Sequence, residues 1–197
     1  MIKVDSFQKY INTFSPISKS SWQEFKTILH TKSVPAGTVL CKYNSHPVNV
    51  YYSKSGYGRA FSLDKEGNEF NIIIYPPHRF MASMSALSQN FRANLEVQCL
   101  TDCDIIYFKY KELIKLVEKN DEFCKFYRKA LEYYLLKLER SNIRYVTSNA
   151  TERYLLLKAE APNIEKHIAQ YHIASHLGIT PIQLSRIRKK VLQTKKK

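Results

Sequence analysis

The residues best suited to chemistry lie near the C-terminus, where turn-forming, helix-capping and cationic side chains follow one another. Gly178 can take the left-handed backbone conformation that ends a helix. Thr180 can cap the next helix, with Pro181 at its first position and Gln183 completing a capping box. This order predicts a helix-turn-helix hairpin over residues 170–188.

The apolar spacing of this segment separates a packing face from an outward face. Ile173, Leu177, Leu184 and Ile187 are spaced to hold the two helices together. In such hairpins the second helix enters the DNA major groove, where Arg reads guanine and Gln or Ser reads other base edges. The candidate DNA-binding residues are therefore Thr180, Ile182, Gln183, Ser185, Arg186, Arg188, Lys189 and Lys190.

The charge distribution favours the same partner. The 197-residue chain has a formal net charge of +14. Residues 150–197 hold ten Lys and Arg against three acids, which is half of that excess. A concentrated cationic patch attracts polyanions and gains from counterion release on a phosphate backbone. Arg188, Lys189, Lys190 and the tail Lys195–Lys197 are predicted phosphate contacts, although a lysine tail that only aids solubility has the same composition.

Other reactive side chains give weaker signals. His172 and His176 stand one helical turn apart, but no third ligand lies at a helpful spacing, so an exposed pair facing DNA phosphate is expected. Cys99 and Cys103 are interpreted as thiols in or beside a strand rather than as metal ligands. The sequence shows no phosphate-binding glycine loop, nucleophile elbow or zinc-protease motif. We therefore expect no enzyme activity and no metal.

The elements that must position these residues fall into three segments. Residues 1–33 have helical periodicity, and residues 110–197 are helical again. Between them, short runs rich in Val, Ile, Tyr and Phe alternate with turn residues about every ten positions. The predicted strands are Val39–Leu40, Val48–Tyr52, Arg59–Leu63, Phe70–Tyr75, Leu95–Cys99 and Ile105–Phe108. The fold class is therefore α+β, with an N-terminal antiparallel jelly-roll barrel.

A long helix, broken near its start, is predicted over Tyr110–Val146. Its apolar residues recur at a spacing near 3.5, which is typical of a helix that packs on another helix. The predicted dimer-interface residues are Tyr127, Leu131, Tyr134, Leu138 and Tyr145. A second set, Phe123, Phe126, Ala130 and Leu135, is available for the barrel. The alternative is that the first set faces the chain's own barrel.

Composition limits the setting. With 44% hydrophobic residues, the chain can bury a core. No apolar run approaches the ~20 residues that a membrane span needs. Four scattered cysteines are too few for a disulfide scaffold. We therefore expect a cytoplasmic protein that does not bind membranes.

Taken together, these segments resemble the Crp/Fnr family of bacterial transcription regulators, in the short form found in Bacteroidetes-type bacteria. Nearly the whole chain takes part in the resemblance. The motifs that carry it are Pro35-Ala36-Gly37-Thr38-Val39-Leu40, Val50-Tyr51-Tyr52, Arg59-Ala60-Phe61, Gly67-Asn68-Glu69, Thr151-Glu152-Arg153-Tyr154 and the hairpin around Gly178. The resemblance implies a cyclic-nucleotide-binding-like sensor over 1–109, a dimerisation helix over 110–146 and a DNA-binding domain over 147–197.

The effector cassette departs from the family pattern. Relatives that bind cyclic nucleotides use a Phe-x-Gly-Glu turn, followed about ten residues later by Arg-Ser or Arg-Thr. Here Ala82 and Ser83 replace Gly and Glu, while Arg92 is shifted by about one residue and is not followed by Ser or Thr. Ala82, Ser83, Arg92 and Asn94 are the candidate ligand residues of a degenerate site. Cyclic AMP, another small effector and no effector all remain open, and no other cofactor is expected.

The resemblance implies a homodimer that reads a pseudo-palindromic operator in double-stranded DNA, with RNA polymerase as a further partner. Arg186 matches the family's base-contacting arginine, and Gln183 and Ser185 are supporting readers. The family's Arg-Glu at the start of this helix is replaced by Pro181 and Ile182, so a different operator is expected. The alternative function is a ligand-binding or protein-docking module that does not bind DNA.

Overall fold

The computed structural model describes residues 5–194, and this part of the chain forms eight α-helices and eight strands. The strands are β1 His30–Val34, β2 Val39–Cys41, β3 Asn49–Ser53, β4 Gly58–Leu63, β5 Glu69–Tyr75, β6 Arg79–Met81, β7 Glu96–Cys99 and β8 Cys103–Lys109. The helices are α1 Asp5–Phe14, α2 Lys19–Lys26, α3 Met84–Gln89, α4 Tyr110–Lys119, α5 Asp121–Thr147, α6 Ala150–Glu160, α7 Gln170–His176 and α8 Pro181–Thr194.

The strands form two antiparallel four-stranded sheets, with the orders β1-β8-β3-β6 and β2-β7-β4-β5. Successive side chains of a strand point to opposite faces, so one strand serves two cores. In β8, Ile105 packs between the sheets with Val97 and Met81, whereas Ile106 and Phe108 face the helices outside. The predicted α+β class with an antiparallel jelly roll is confirmed.

Three elements differ from the sequence prediction. Residues 30–34 are a strand rather than the end of a helical segment, and β6 and α3 were not predicted. Strand β1 pairs with β8, from His30 opposite Tyr107 to Val34 opposite Cys103. Its first four residues are exposed and mostly polar, so the strand has no alternating apolar pattern. Backbone pairing, rather than side-chain burial, creates this strand.

An aromatic core fixes the N-terminal helices and the start of α5 on the outer face of the first sheet. Phe7, Phe25 and Phe123 are fully buried and make tilted or edge-on ring contacts. The predicted barrel-facing set is confirmed for Phe123, Phe126 and Ala130. Leu135 was assigned to the same set, but the prediction is wrong there, because this side chain is 66% exposed.

The predicted break in the long helix lies at Asn120, between α4 and α5. This residue has an extended backbone, and its side-chain oxygen accepts a hydrogen bond from the Glu122 amide at 2.9 Å. An Asn in this position replaces the missing intrahelical partner of the first amides of α5. The same residue that ends α4 therefore starts α5.

The outer face of the second sheet is covered by the C-terminal helices. Tyr57 and Ile74 pack there with Tyr154, Ile164, Ile168 and Ile173 in one buried cluster. The C-terminal hairpin is thus joined to the barrel by an apolar core as well as by the chain. Within residues 5–194, no helix is long and apolar enough to cross a membrane.

Candidate nucleic-acid interface

Helices α7 and α8 form the predicted hairpin, and its turn has the predicted chemistry. Gly178 has φ +66°, the left-handed conformation that glycine adopts without strain. The Gln183 amide donates to Thr180 Oγ1 at 3.2 Å, and the Thr180 amide donates to Gln183 Oε1 at 2.9 Å. This reciprocal pair is the capping box expected from the sequence.

The hairpin buries one side of α8 and exposes the other. Ile173, Leu177 and Leu184 are buried between the two helices. Ile182 is 67% exposed. The other predicted DNA-binding residues on the exposed side are Thr180, Gln183, Ser185, Arg186, Lys189 and Lys190. Helix α8 contains no acidic residue, so its exposed face is cationic.

Arg188 lies apart from that face. It is half-buried beside Tyr154, whose hydroxyl donates to the Glu165 carboxylate. Burial, followed by the contact with Glu165, raises the pKa of Tyr154 to about 12, and the charge of Arg188 opposes this shift. Arg188 therefore contacts its own domain and is less available for phosphate than Lys189. The predicted tail contacts Lys195–Lys197 lie outside the described residues.

Arg153 connects the hairpin to the end of the long helix. Its guanidinium donates to the Ser148 carbonyl at 2.6 Å and to the Leu177 carbonyl at 3.1 Å. The same group lies over the ring of Tyr145, 5.2 Å from its centre. A Cβ atom at Gly178 would lie 3.1 Å from the Tyr145 hydroxyl. The turn of the hairpin thus sits close against the C-terminal end of α5.

The two histidines of α7 do not face outward, so the expectation of an exposed phosphate-binding pair is wrong. His172 is 7% exposed, and it packs against Asn71 and Arg59 of the barrel. Burial and the charge of Arg59 lower the pKa of His172 to about 4, and burial also lowers that of His176. Both rings are therefore neutral near pH 7 and belong to the contact between hairpin and barrel.

The exposed apolar face of α5 includes three of the five predicted dimer residues, and the other two contact their own chain. The Tyr127 and Tyr110 hydroxyls are hydrogen-bonded at 2.6 Å, and the Tyr134 and Tyr10 hydroxyls at 3.0 Å. Tyr127 and Tyr134 therefore contact their own chain. Three other predicted residues, Leu131, Leu138 and Tyr145, are 42%, 58% and 61% exposed. Leu135 and Ile143 extend this exposed face. Tyr145 also packs on the hairpin turn, as described above.

The candidate ligand residues Arg92 and Asn94 make their hydrogen bonds with other parts of the barrel. Arg92 is exposed and donates to the Asn44 carbonyl at 2.9 Å, in the loop between β2 and β3. Asn94 is exposed, and its carbonyl accepts from the Ser62 hydroxyl. Ala82 is half-buried, and Ser83 is buried with its hydroxyl unpaired among the described residues. A cyclic phosphate needs several donors and a cation together, and the cation among these residues, Arg92, is bound to a backbone carbonyl.

The interior of the barrel next to Ala82 and Ser83 is filled by side chains. Tyr75 and Met81 are buried between the sheets, and Tyr51 packs against the same core. A Cβ atom at Gly58 would lie 2.7 Å from the Met81 sulfur. The absence of a side chain at Gly58 therefore provides space for Met81.

Comparison with known proteins agrees with this architecture. Residues 31–120 match the cyclic nucleotide-binding domain family. No curated protein matches the chain significantly in sequence.

Several solved structures share the fold over most of their length. A Crp/Fnr-family regulator from Eubacterium rectale is 15% identical, with TM-score 0.71 over 94% of this chain and 88% of its own. FixK2 from Bradyrhizobium japonicum is 15% identical, with TM-score 0.70 over 85% and 86%. The c-di-GMP-responsive regulator CLP from Xanthomonas campestris is 14% identical, with TM-score 0.67 over 90% and 93%. These matches confirm the resemblance in domain and fold.

Proposed function

We propose that this chain, which carries a cyclic nucleotide-binding domain in the Crp/Fnr fold, is a sequence-specific DNA-binding transcription regulator that acts as a homodimer. The observation that carries the proposal is the capped hairpin whose second helix presents a cationic, acid-free face to solvent. Its solved neighbours include a regulator of virulence gene expression and a Crp/Fnr-family regulator.

In this proposal α8 enters the major groove and Arg186 reads guanine through a bidentate contact. Gln183 is restricted by its cap, because its side-chain oxygen already accepts from Thr180. Its amide group is left to donate, which favours acceptor edges such as guanine over the bidentate adenine contact. Ser185 is a supporting reader. Lys189 and Lys190 contact phosphate and add affinity without sequence information.

The dimer is proposed from the exposed apolar face of α5. Leu131, Leu135 and Leu138 follow one another at intervals of four and three residues and are all more than two-fifths exposed. A second copy of the same helix is the partner whose pattern matches this face, because a two-fold interface is self-complementary. Two recognition helices related by that axis would contact half-sites ~34 Å apart on a pseudo-palindromic operator.

Genomic-fragment selection with the purified protein at physiological salt, followed by affinity measurements on the selected site, tests the function. Arg186→Ala should lose about 1–3 kcal/mol on the selected site and much less on random DNA. Lys115→Ala, which removes one exposed cation on α4, is the matched control and should change neither affinity. Equal losses on both DNAs would make Arg186 a phosphate contact. No salt-dependent DNA binding would refute the function and favour the protein-docking module.

For the effector, we propose that this chain does not bind cyclic nucleotides through the phosphate cassette of its relatives, because Arg92 is engaged with a surface loop. Thermal melting with cyclic AMP and other small anions is the direct measurement, since a ligand that binds the folded state raises the melting temperature. A saturable rise with cyclic AMP that is lost in Arg92→Ala would refute this proposal.

A further inference from the structure

The C-terminal hairpin is attached to the outer face of the barrel through α7 and β5. The Asn71 amide donates to Ser175 Oγ at 3.0 Å, and the Asn71 side-chain nitrogen donates to the His172 carbonyl at 3.0 Å. Asn71 is 5% exposed, so water does not compete for these bonds. One residue of the sensor thus holds two points on the first helix of the hairpin.

Arg59 on β4 sets the direction of the Asn71 side chain. It is 5% exposed, with its guanidinium 3.8 Å from the centre of the Phe61 ring. It donates to the Glu69 carboxylate at 2.6 Å, to Gln98 Oε1 at 2.9 Å and to Asn71 Oδ1 at 3.2 Å. Because an arginine only donates, it holds the oxygen of the Asn71 amide and turns its nitrogen toward α7.

His172 completes the contact from the side of the hairpin. Its Nδ1 lies 3.4 Å from the Arg59 guanidinium and 3.3 Å from the Asn71 nitrogen. Both neighbours are donors, so this ring nitrogen accepts and the ring stays neutral. Donors on the barrel thus face acceptors on α7. Because hydrogen bonds are directional, they fix the position of α7 relative to the barrel more strictly than apolar packing does.

We propose that Arg59, Asn71, His172 and Ser175 are positioning residues that set the angle of the DNA-binding hairpin relative to the sensor. The inference rests on the proposed function. Helices α7 and α8 share a buried core at Ile173 and Leu184, so a tilt of α7 carries α8 with it. With axes about 8–10 Å apart, a tilt of about 10° moves α8 by roughly 1.5 Å. That is nearly half of the 3.4 Å rise per base along one strand.

The apolar part of the same interface keeps the domains together when the polar part is removed. The ring of Tyr57 stacks on His167 with centres 5.1 Å apart, and Ile74 and Ile168 lie in the same buried cluster. Substitutions in the polar group are therefore expected to loosen the angle of the hairpin rather than to unfold it. In the dimer, that loosening appears as tolerance of altered half-site spacing.

The experiment measures affinity for a series of operators whose half-sites are moved apart or together by one and two base pairs. Asn71→Ala removes the side-chain donor and Ser175→Ala removes the hydroxyl partner of the Asn71 amide. The matched control is Gln170→Ala, an exposed position on the same helix. The wild type and the control should prefer one spacing sharply. The two test variants should lose about fivefold or more of that preference while still binding DNA.

A readout without DNA separates this inference from the proposed function. In Asn71→Ala, backbone amides of β5 and α7 should exchange with deuterium faster than in the wild type, while those of β8 remain unchanged. An unchanged spacing preference together with unchanged exchange in both variants would overturn the inference. If the wild type fails to bind DNA, the proposed function fails, and the exchange experiment alone decides whether the polar group holds the hairpin.

Discussion

Replacing Leu138 by alanine should weaken the proposed dimer, and the exposure of this side chain allows the loss to be calculated. Leu138 is 58% exposed in the single chain. Full burial of a leucine side chain contributes about 1.5–3 kcal/mol, so burying the exposed fraction contributes about 1–2 kcal/mol. The residue occurs twice across a two-fold interface, which doubles the loss to about 2–4 kcal/mol. The dimer dissociation constant should therefore rise roughly 30- to 1000-fold.

Sedimentation velocity over a range of protein concentrations measures this shift directly. Leu155→Ala is the matched control, because Leu155 is 43% exposed and lies on α6 rather than on α5. The control should dimerise as the wild type does. DNA affinity of Leu138→Ala should fall at low protein concentration and recover as the concentration rises, because dimerisation and DNA binding are linked.

A wild-type protein that remains monomeric at high concentration would refute the assignment of a second copy to this face. An unchanged dissociation constant in Leu138→Ala would instead place the dimer contact elsewhere. The two results are separable because the first needs no variant. The first result would also remove the basis for expecting paired half-sites.

The remaining predictions concern the hairpin and its supports. Arg153→Ala should lower the free energy of unfolding by about 2 kcal/mol, because two carbonyls lose a charged donor. Arg153→Lys should recover only part of that stability, since lysine lacks the planar guanidinium that reaches both carbonyls. Denaturant titration measures both variants. In the folded protein the pKa of His172 is about 4, below its usual 6.5. As the pH drops, the unfolded chain therefore binds a proton at this residue before the folded protein does. The free energy of unfolding falls as the pH drops from about 6.5 toward 4. Between pH 7 and pH 5 this loss should be about 1–2 kcal/mol, and His172→Gln should flatten the slope by that amount.

The parts of the fold that follow from local chemistry were predicted from the sequence. Gly178 favours a left-handed turn, and Thr180 and Gln183 can cap a helix only at its first turn. The turn of the hairpin and its cap were therefore predicted correctly. The break in the long helix was also predicted, and the structure places it at Asn120. Five of the six predicted strands carry Val, Ile, Tyr or Phe at buried positions, which their composition already indicated.

The parts that depend on tertiary contact were not predictable. Strand β1 is polar and exists because β8 offers backbone partners, which no pattern within residues 30–34 records. The histidines of α7 were expected to face outward, because no third metal ligand lies at a helpful spacing in the sequence. Only the presence of Arg59 and Asn71, more than a hundred residues earlier, makes the His172 position buried and polar.

Under the proposed function, the polar contact between β5 and α7 also bears on how a signal would reach the hairpin. The hairpin is held at two places: Arg153 ties its turn to the end of α5, and Asn71 ties its first helix to the barrel. A change confined to the angle of α5 would have to break or displace the Asn71 contact. A change confined to the barrel would have to strain the Arg153 contact. Packed interfaces shift between discrete arrangements, so a single such shift of the hairpin would change both contacts together. A double-mutant cycle on DNA affinity, with substitutions at Arg153 and Asn71, therefore distinguishes the two cases. Non-additive effects indicate a shared two-state element, and additive effects indicate two independent supports.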